Sequence, residues 1–188
     1  EFGSGRSSIR LALAFPHIEI MSIENEKKQC EETLALLQTF VSDSHLSLKY
    51  RPLQFQQYGS GKLLTYQPGV FFDQEIDAVI IDGPPGYTLR GREGCLYQIY
   101  HHLKIGGLVI LDDYARKQEQ AIVHNWLCVF PDSFSFEILP VGHHLAVLKK
   151  TQSVLPNWSD ISRIQDNQEV NARYKRIQNI LNGLILLK

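Results

Sequence analysis

The feature that most constrains this chain is a pair of glycines one residue apart, Gly3 and Gly5, answered about 20 residues later by Glu24 at the end of the apolar run Ile18–Ile23. A Gly-x-Gly turn lets the backbone bend tightly and approach a ligand. An acidic side chain at the tip of the following strand can accept hydrogen bonds from both hydroxyls of a ribose. The order loop, helix, strand points to a nucleotide-type site at the edge of an α/β sheet. The letters Glu-Phe-Gly-Ser-Gly also read as a flexible glycine/serine linker outside the fold, a reading that leaves Glu24 unexplained. The only methionine is Met21, and the strand expected ahead of the loop is largely missing from the chain.

Strand-like and helix-like segments alternate after the loop. Arg6–Ala14 reads as a helix, Ile18–Ile23 as a strand, and Glu26–Val41 as a surface helix with Cys30, Leu34, Leu37 and Val41 on its buried stripe. Leu46–Leu53 reads as a strand, followed by a long connector from Gln54 to Asp73 without strong period. Ile76–Ile81 is an apolar strand ending in Asp82-Gly83-Pro84-Pro85-Gly86, Glu93–Leu103 a helix closed by Gly106-Gly107, and Leu108–Leu111 a strand ending in Asp112-Asp113-Tyr114. A helix over Lys117–Phe130 precedes a last pair of strands, Phe134–Leu139 and Leu145–Leu148. The alternation predicts a Rossmann-like, doubly wound, mostly parallel sheet with helices on both faces and an antiparallel C-terminal edge hairpin. Residues 1–150 would form this domain. Residues 151–188 would add a helical tail, with Tyr174, Ile177, Leu181 and Leu184 at helical spacing, that docks on the domain or on a second copy.

Composition narrows the partners. With 188 residues, 44% hydrophobic and a formal net charge of -1, the chain suits one packed domain, and its near-neutral charge argues against a broad electrostatic footprint for duplex nucleic acid. Cys30, Cys95 and Cys128 have neither disulfide-framework nor zinc spacing and read as buried thiols. No apolar run approaches the ~20 residues that cross a bilayer and no signal peptide is visible, so a cytoplasmic location is the default expectation.

In an open parallel sheet, ligands bind beyond the carboxyl ends of the strands. Those ends here carry Gly3–Gly5, Glu24, Asp82 and Asp112-Asp113. In order and spacing, the glycine loop, Ser22-Ile23-Glu24, the stretch from Asp77 to Tyr87 and that from Leu103 to Tyr114 resemble the class I S-adenosylmethionine-dependent methyltransferases over about residues 1 to 149. The resemblance implies that Gly3, Ser4, Gly5 and Gly83 lie against the cofactor, Glu24 holds its ribose, and Asp82 sits beside the sulfonium and the acceptor. In metal-dependent O-methyltransferases, carboxylates at these two strand ends hold a divalent cation, which would make Asp82, Asp112 and Asp113 magnesium ligands. Three clustered carboxyls repel one another without a counter-charge. The family pattern usually reads Asp-Asn where this chain has Asp112-Asp113. Either aspartate could instead cap the next helix.

Other residues carry weaker expectations. His144 at the start of the last strand could act as general base, and adjacent His143 would then point to the opposite face. Arg116 and Glu119 could pair on a helix face, and Arg90 and Arg92, in the loop after Tyr87, could meet an anionic acceptor. Tyr58, Tyr66, Tyr87 and Tyr114 could line an acceptor pocket. The expected activity is methyl transfer to a hydroxyl of a small molecule or sugar-containing acceptor, with Asp82 or Asp112 assisting proton removal. Alternatives are an amino methyltransferase acting on nucleic acid or protein, a nicotinamide-dependent dehydrogenase, for which Ser8 stands where a third glycine is needed, and a non-catalytic cofactor-binding or structural subunit.

Overall fold

The computed structural model describes residues 1–40, 45–69 and 75–159. The chain begins with an extended segment and runs through α1 (Arg6–Ala14), β1 (Ile20–Glu24), α2 (Lys27–Phe40), β2 (Leu46–Tyr50), β3 (Leu53–Tyr58), β4 (Gly61–Tyr66) and β5 (Ile76–Ile81). It continues through a 3-10 turn (Gly86–Thr88), α3 (Gly91–Ile99), β6 (Leu103–Leu111), α4 (Lys117–Val129), β7 (Phe134–Leu139) and β8 (Leu145–Lys150). β1 pairs in parallel with β2 and β5 with β6, while β8 lies antiparallel between β6 and β7. The expected parallel sheet with an antiparallel C-terminal border is thus present, and β7 is its outermost strand.

Residues 1–3 occupy the seam between the two parallel pairs. Phe2 bridges Ile23 of β1 and Ile81 of β5 in parallel register. Its N–H donates to the Ile80 carbonyl (2.8 Å), and its carbonyl accepts from Asp82 (2.9 Å) and Gly83 (2.8 Å). Gly3 N–H donates to Ile23 O, and Ile23 N–H to Glu1 O, each at 2.9 Å. Phe2 is 1% exposed within the core that also contains Ile23, Tyr66, Ile81 and Leu96. These residues are therefore part of the fold, which overturns the linker reading.

Several segments differ from expectation. The connector after β2 holds a hairpin, β3 with β4, turned by Gly59 (φ +56°) and Ser60. It packs on α3, where Gln98 donates to the Tyr66 carbonyl at 2.8 Å and Thr65 fills the space beside Gly94. Arg51-Pro52 interrupts what would otherwise be one strand across Leu46–Leu53. Helix α3 begins at Gly91 and ends at Ile99, earlier at both ends than its apolar run suggests, because Leu103 already pairs with Ile76. On α2 the buried positions are Cys30, Thr33 and Leu37, with Leu34 exposed, and Val41 lies outside the described residues.

After β8 the chain lies along the domain. Thr151 N–H donates to Ser133 O (2.8 Å) and Asn157 N–H to Val129 O (2.7 Å), while Val154 and Trp158 pack against the core. The expected tail helix from Val170 lies outside the described residues. Among the described residues no helix is long and apolar enough to cross a membrane.

Candidate functional site

The glycine loop is explained by its neighbours. A Cβ on Gly3 (φ +94°) would lie 2.9 Å from Gly83 N, and one on Gly83 would lie 2.1 Å from the Tyr66 hydroxyl and 3.0 Å from Gly3 Cα. Gly3 and Gly83 are glycines because the ends of two chain segments press together. A Cβ on Gly5 (φ +152°) would meet only Gln29 Nε2, at an ordinary contact distance of 3.8 Å. Behind the loop, Ser8 is fully buried: its Oγ accepts from Gly5 N–H at 3.1 Å and donates to Glu1 Oε2 at 2.5 Å. A third glycine here would lose both bonds.

Glu24 sits at the tip of β1, 5% exposed. Its Oε2 accepts from Ser4 N (3.0 Å) and Ser4 Oγ (2.9 Å), and its Oε1 from Asn25 N (2.7 Å) and Glu26 N (2.9 Å). A carboxylate offers about four lone-pair sites, so protein donors fill them all. The Ser4 hydroxyl is the one donor that can turn away, by a simple χ1 rotation.

The second half of the site lies at the ends of β5 and β6. Carboxylate oxygens of Asp82, Asp112 and Asp113 lie within 4.8 Å of one another. The counter-charge they require is the guanidinium of Arg92, which is 5% exposed. Its Nη2 donates to Asp82 O (2.7 Å) and Asp82 Oδ1 (3.2 Å), its Nη1 to Asp112 O (3.3 Å) and Asp113 Oδ2 (3.4 Å), and its Nε to Pro84 O (3.4 Å). Glu119 Oε1 stands 3.7 Å from Nη1. From the rim, Arg116 pairs with Asp113 at 2.7 Å, closer than its 4.0 Å approach to Glu119. A divalent cation does not fit this donor set as the protein presents it, because two of the three carboxylates are already bonded to a fixed positive charge. Magnesium, expected on these three carboxylates, would have to compete with that charge.

The carboxylates differ in character. The Asp82 side chain is 46% exposed, and partial burial holds its pKa above the ordinary carboxylate value; Arg92 opposes that rise, and Asp112 and Asp113 reinforce it. Burial likewise raises Glu119, whose Oε2 is enclosed without a hydrogen-bond partner among the described residues. Asp112 Oδ1 accepts from Asp113 N at 2.7 Å, and Asp113 adopts a left-handed backbone (φ 61°).

The structure brings together Gly3, Ser4 and Glu24 on one side, and Asp82, Asp112 and Asp113 on the other, with Gly83 against Gly3. His144 lies beside the end of β6, held there through its backbone. That residue lies in the turn before β8 with φ 65°; its carbonyl accepts from Tyr114 N, and its exposed ring has no bond to the carboxylates among the described residues. The strand alternation expected of His143 and His144 does not apply there. Arg90 and Arg92, expected in a loop, are buried residues at the start of α3. Arg90 pairs with fully buried Glu93 through Nε (2.6 Å) and Nη2, and Glu93 also accepts from Tyr97 (2.7 Å) and Asn125 (2.9 Å). Tyr66 is buried in the core and cannot line an open pocket.

A Rossmann-like sheet with glycine and acidic residues gathered at its strand ends defines a class of nucleotide-cofactor folds. No family model matches the chain, but solved structures do. It aligns with a methyltransferase from Geobacter sulfurreducens at 15% identity (TM-score 0.50, 71% of this chain and 59% of that one). A Podospora anserina methyltransferase solved with S-adenosylhomocysteine aligns at 13% (0.52, 72% and 62%). A provisionally assigned caffeoyl-CoA O-methyltransferase from Staphylococcus aureus aligns at 18% (0.55, 79% and 73%). The chain therefore spans about three fifths of the first two proteins. Its fold is that of the class I methyltransferases.

Proposed function

We propose that the chain is an S-adenosylmethionine-dependent methyltransferase acting on a hydroxyl of a small molecule or sugar-containing acceptor. The observation that carries this reading is the meeting, at one sheet edge, of the Ser4–Glu24 pair with half-exposed Asp82 across the Gly3–Gly83 contact. The residues suit the cofactor. No backbone crowds Gly5, whose nearest neighbour is the end of the flexible Gln29 side chain, and Glu24 becomes an acceptor for a ribose once the Ser4 hydroxyl turns aside. When bound, the cofactor supplies a methyl group carried on a sulfonium cation, and the acidic surroundings favour that charge. Asp82, with its raised pKa, would take the acceptor's proton as the O–C bond forms and the methyl–sulfur bond breaks, with S-adenosylhomocysteine as the leaving group. The net charge of -1 and the carboxylates at the site disfavour a nucleic-acid acceptor. The S-adenosylhomocysteine bound to the Podospora protein and the O-methyltransferase assignment of the Staphylococcus protein lend support.

A second reading, a non-catalytic structural subunit, is favoured by the saturation of Glu24 with protein donors. Calorimetry with S-adenosylmethionine, S-adenosylhomocysteine and NAD separates the cases. Saturable binding of the first two and not of NAD supports methyl transfer. Asp82→Ala should then abolish turnover while retaining cofactor affinity. Unchanged turnover removes Asp82 from the mechanism, and absence of any binding removes the proposal.

A further inference from the structure

Arg92 is the second residue of α3, and the start of that helix is held fast. A Cβ on Gly91 would meet Thr88 Oγ1 at 2.3 Å and Leu64 O at 2.5 Å, so the backbone that launches Arg92 lies hard against the β3–β4 hairpin. From there the guanidinium reaches the carbonyls of Asp82, Pro84 and Asp112 as well as the carboxylates of Asp82 and Asp113. Three buried or half-buried carbonyls would lose a donor if it swung away, so the charge is fixed in position.

We infer that the Arg92 guanidinium is a built-in cation that takes the place of a divalent metal at the ends of β5 and β6, and that it positions Asp82. It supplies planar N–H donors at about 3 Å to Asp82 and Asp113, where a metal would need carboxylate oxygens of the same aspartates at about 2.0–2.6 Å. A divalent ion on the remaining oxygens of these aspartates would lie close to the guanidinium and be repelled by it, so the two compete for the site. The protein is then metal-independent, and removing Arg92 uncovers a cation site. In giving Asp82 its task this rests on the methyl-transfer reading, but the cation itself can be tested without cofactor or acceptor.

The test is Mn²⁺ titration of the full chain, followed by calorimetry and by the electron paramagnetic resonance signal of free Mn²⁺. Wild type and Arg92→Lys should show no saturable binding at millimolar metal, and EDTA should leave thermal stability unchanged. Arg92→Ala should bind Mn²⁺ on the order of tenfold tighter or more, with its melting temperature rising as metal is added. A further Asp112→Asn substitution should abolish that gain. If Arg92→Ala does not fold by circular dichroism, Arg92→Gln replaces it. The inference is overturned if wild type binds Mn²⁺ saturably and loses it on Asp112→Asn, or if the folded, uncharged variant binds no better than wild type. Cofactor calorimetry on wild type reports separately on the methyl-transfer reading.

Discussion

The contact between Gly83 and Tyr66 makes a quantitative prediction. In Gly83→Ala the new methyl would sit 2.1 Å from the Tyr66 hydroxyl oxygen, well over an ångström inside ordinary contact, with Gly3 Cα at 3.0 Å and Gly3 N at 3.1 Å on its other side. The Gly3 atoms are backbone, and the tyrosine is 1% exposed, so neither neighbour has room to yield. Overpacking of this kind costs about 1–3 kcal/mol. In a domain of this size that lowers the melting temperature by roughly 2–12 °C. The Tyr66 hydroxyl is itself buried without a hydrogen-bond partner among the described residues. Tyr66→Phe therefore removes an uncompensated polar group, and its stability should equal or exceed that of wild type. In the double variant the methyl gains the space of the missing oxygen, so the two substitutions should couple favourably by roughly 0.5–3 kcal/mol. Urea unfolding of the four proteins measures the cycle. Strict additivity, or a Tyr66→Phe cost as large as that of Gly83→Ala, would refute the reasoning.

Ser4→Ala removes the hydroxyl that competes for Glu24 Oε2, and should tighten S-adenosylmethionine binding by up to about tenfold in calorimetry; weaker binding would show that the serine serves the ligand. Lys150 is buried and donates to the Tyr100 and Leu103 carbonyls, each at 2.8 Å, so Lys150→Met strands both and should cost roughly 2–5 kcal/mol in thermal unfolding; a loss below about 1 kcal/mol contradicts this. Asp82 has its folded pKa raised, so as a base it is lost at a pH above the ordinary carboxylate range, and the acid limb of kcat/KM should lie there. The folded state holds this proton more tightly than the unfolded chain, so stability falls as pH rises from the ordinary carboxylate value through the folded one. Arg92 opposes the upward shift, so Arg92→Gln should move the limb to still higher pH; an unmoved limb excludes Asp82 as the titrating base.

The legible parts of the fold were those where one physical signal dominates. Ile76–Ile81 is a closed apolar run punctuated by Asp82-Gly83-Pro84, and Arg6–Ala14 starts directly behind a glycine turn; both lie at the bounds the letters suggest. The β3–β4 hairpin was hidden because glutamines at 54, 56 and 57 mask the strand period, although Gly59-Ser60 is an acceptable two-residue turn. At the site, the strand-end acids were visible from spacing alone. Arg92 was not, because its position depends on where α3 starts, and the apolar run Cys95–Leu103 drew that helix too late by two residues. The signal available was electrostatic: clustered acids need a cation, and Arg90 and Arg92 are the cations that follow Asp82 most closely in the chain.

Glu1, Phe2 and Gly3 bond to β1 on one flank and to β5 on the other, and the glycine turn continues straight out of them. Cohesion across the middle of the sheet and the shape of the ligand cradle are consequently one cooperative event. A molecule whose cradle has come apart should also have parted along this line, and hydrogen exchange at the amides of Ile23, Asp82 and Gly83 should slow in unison when a ligand settles against the turn.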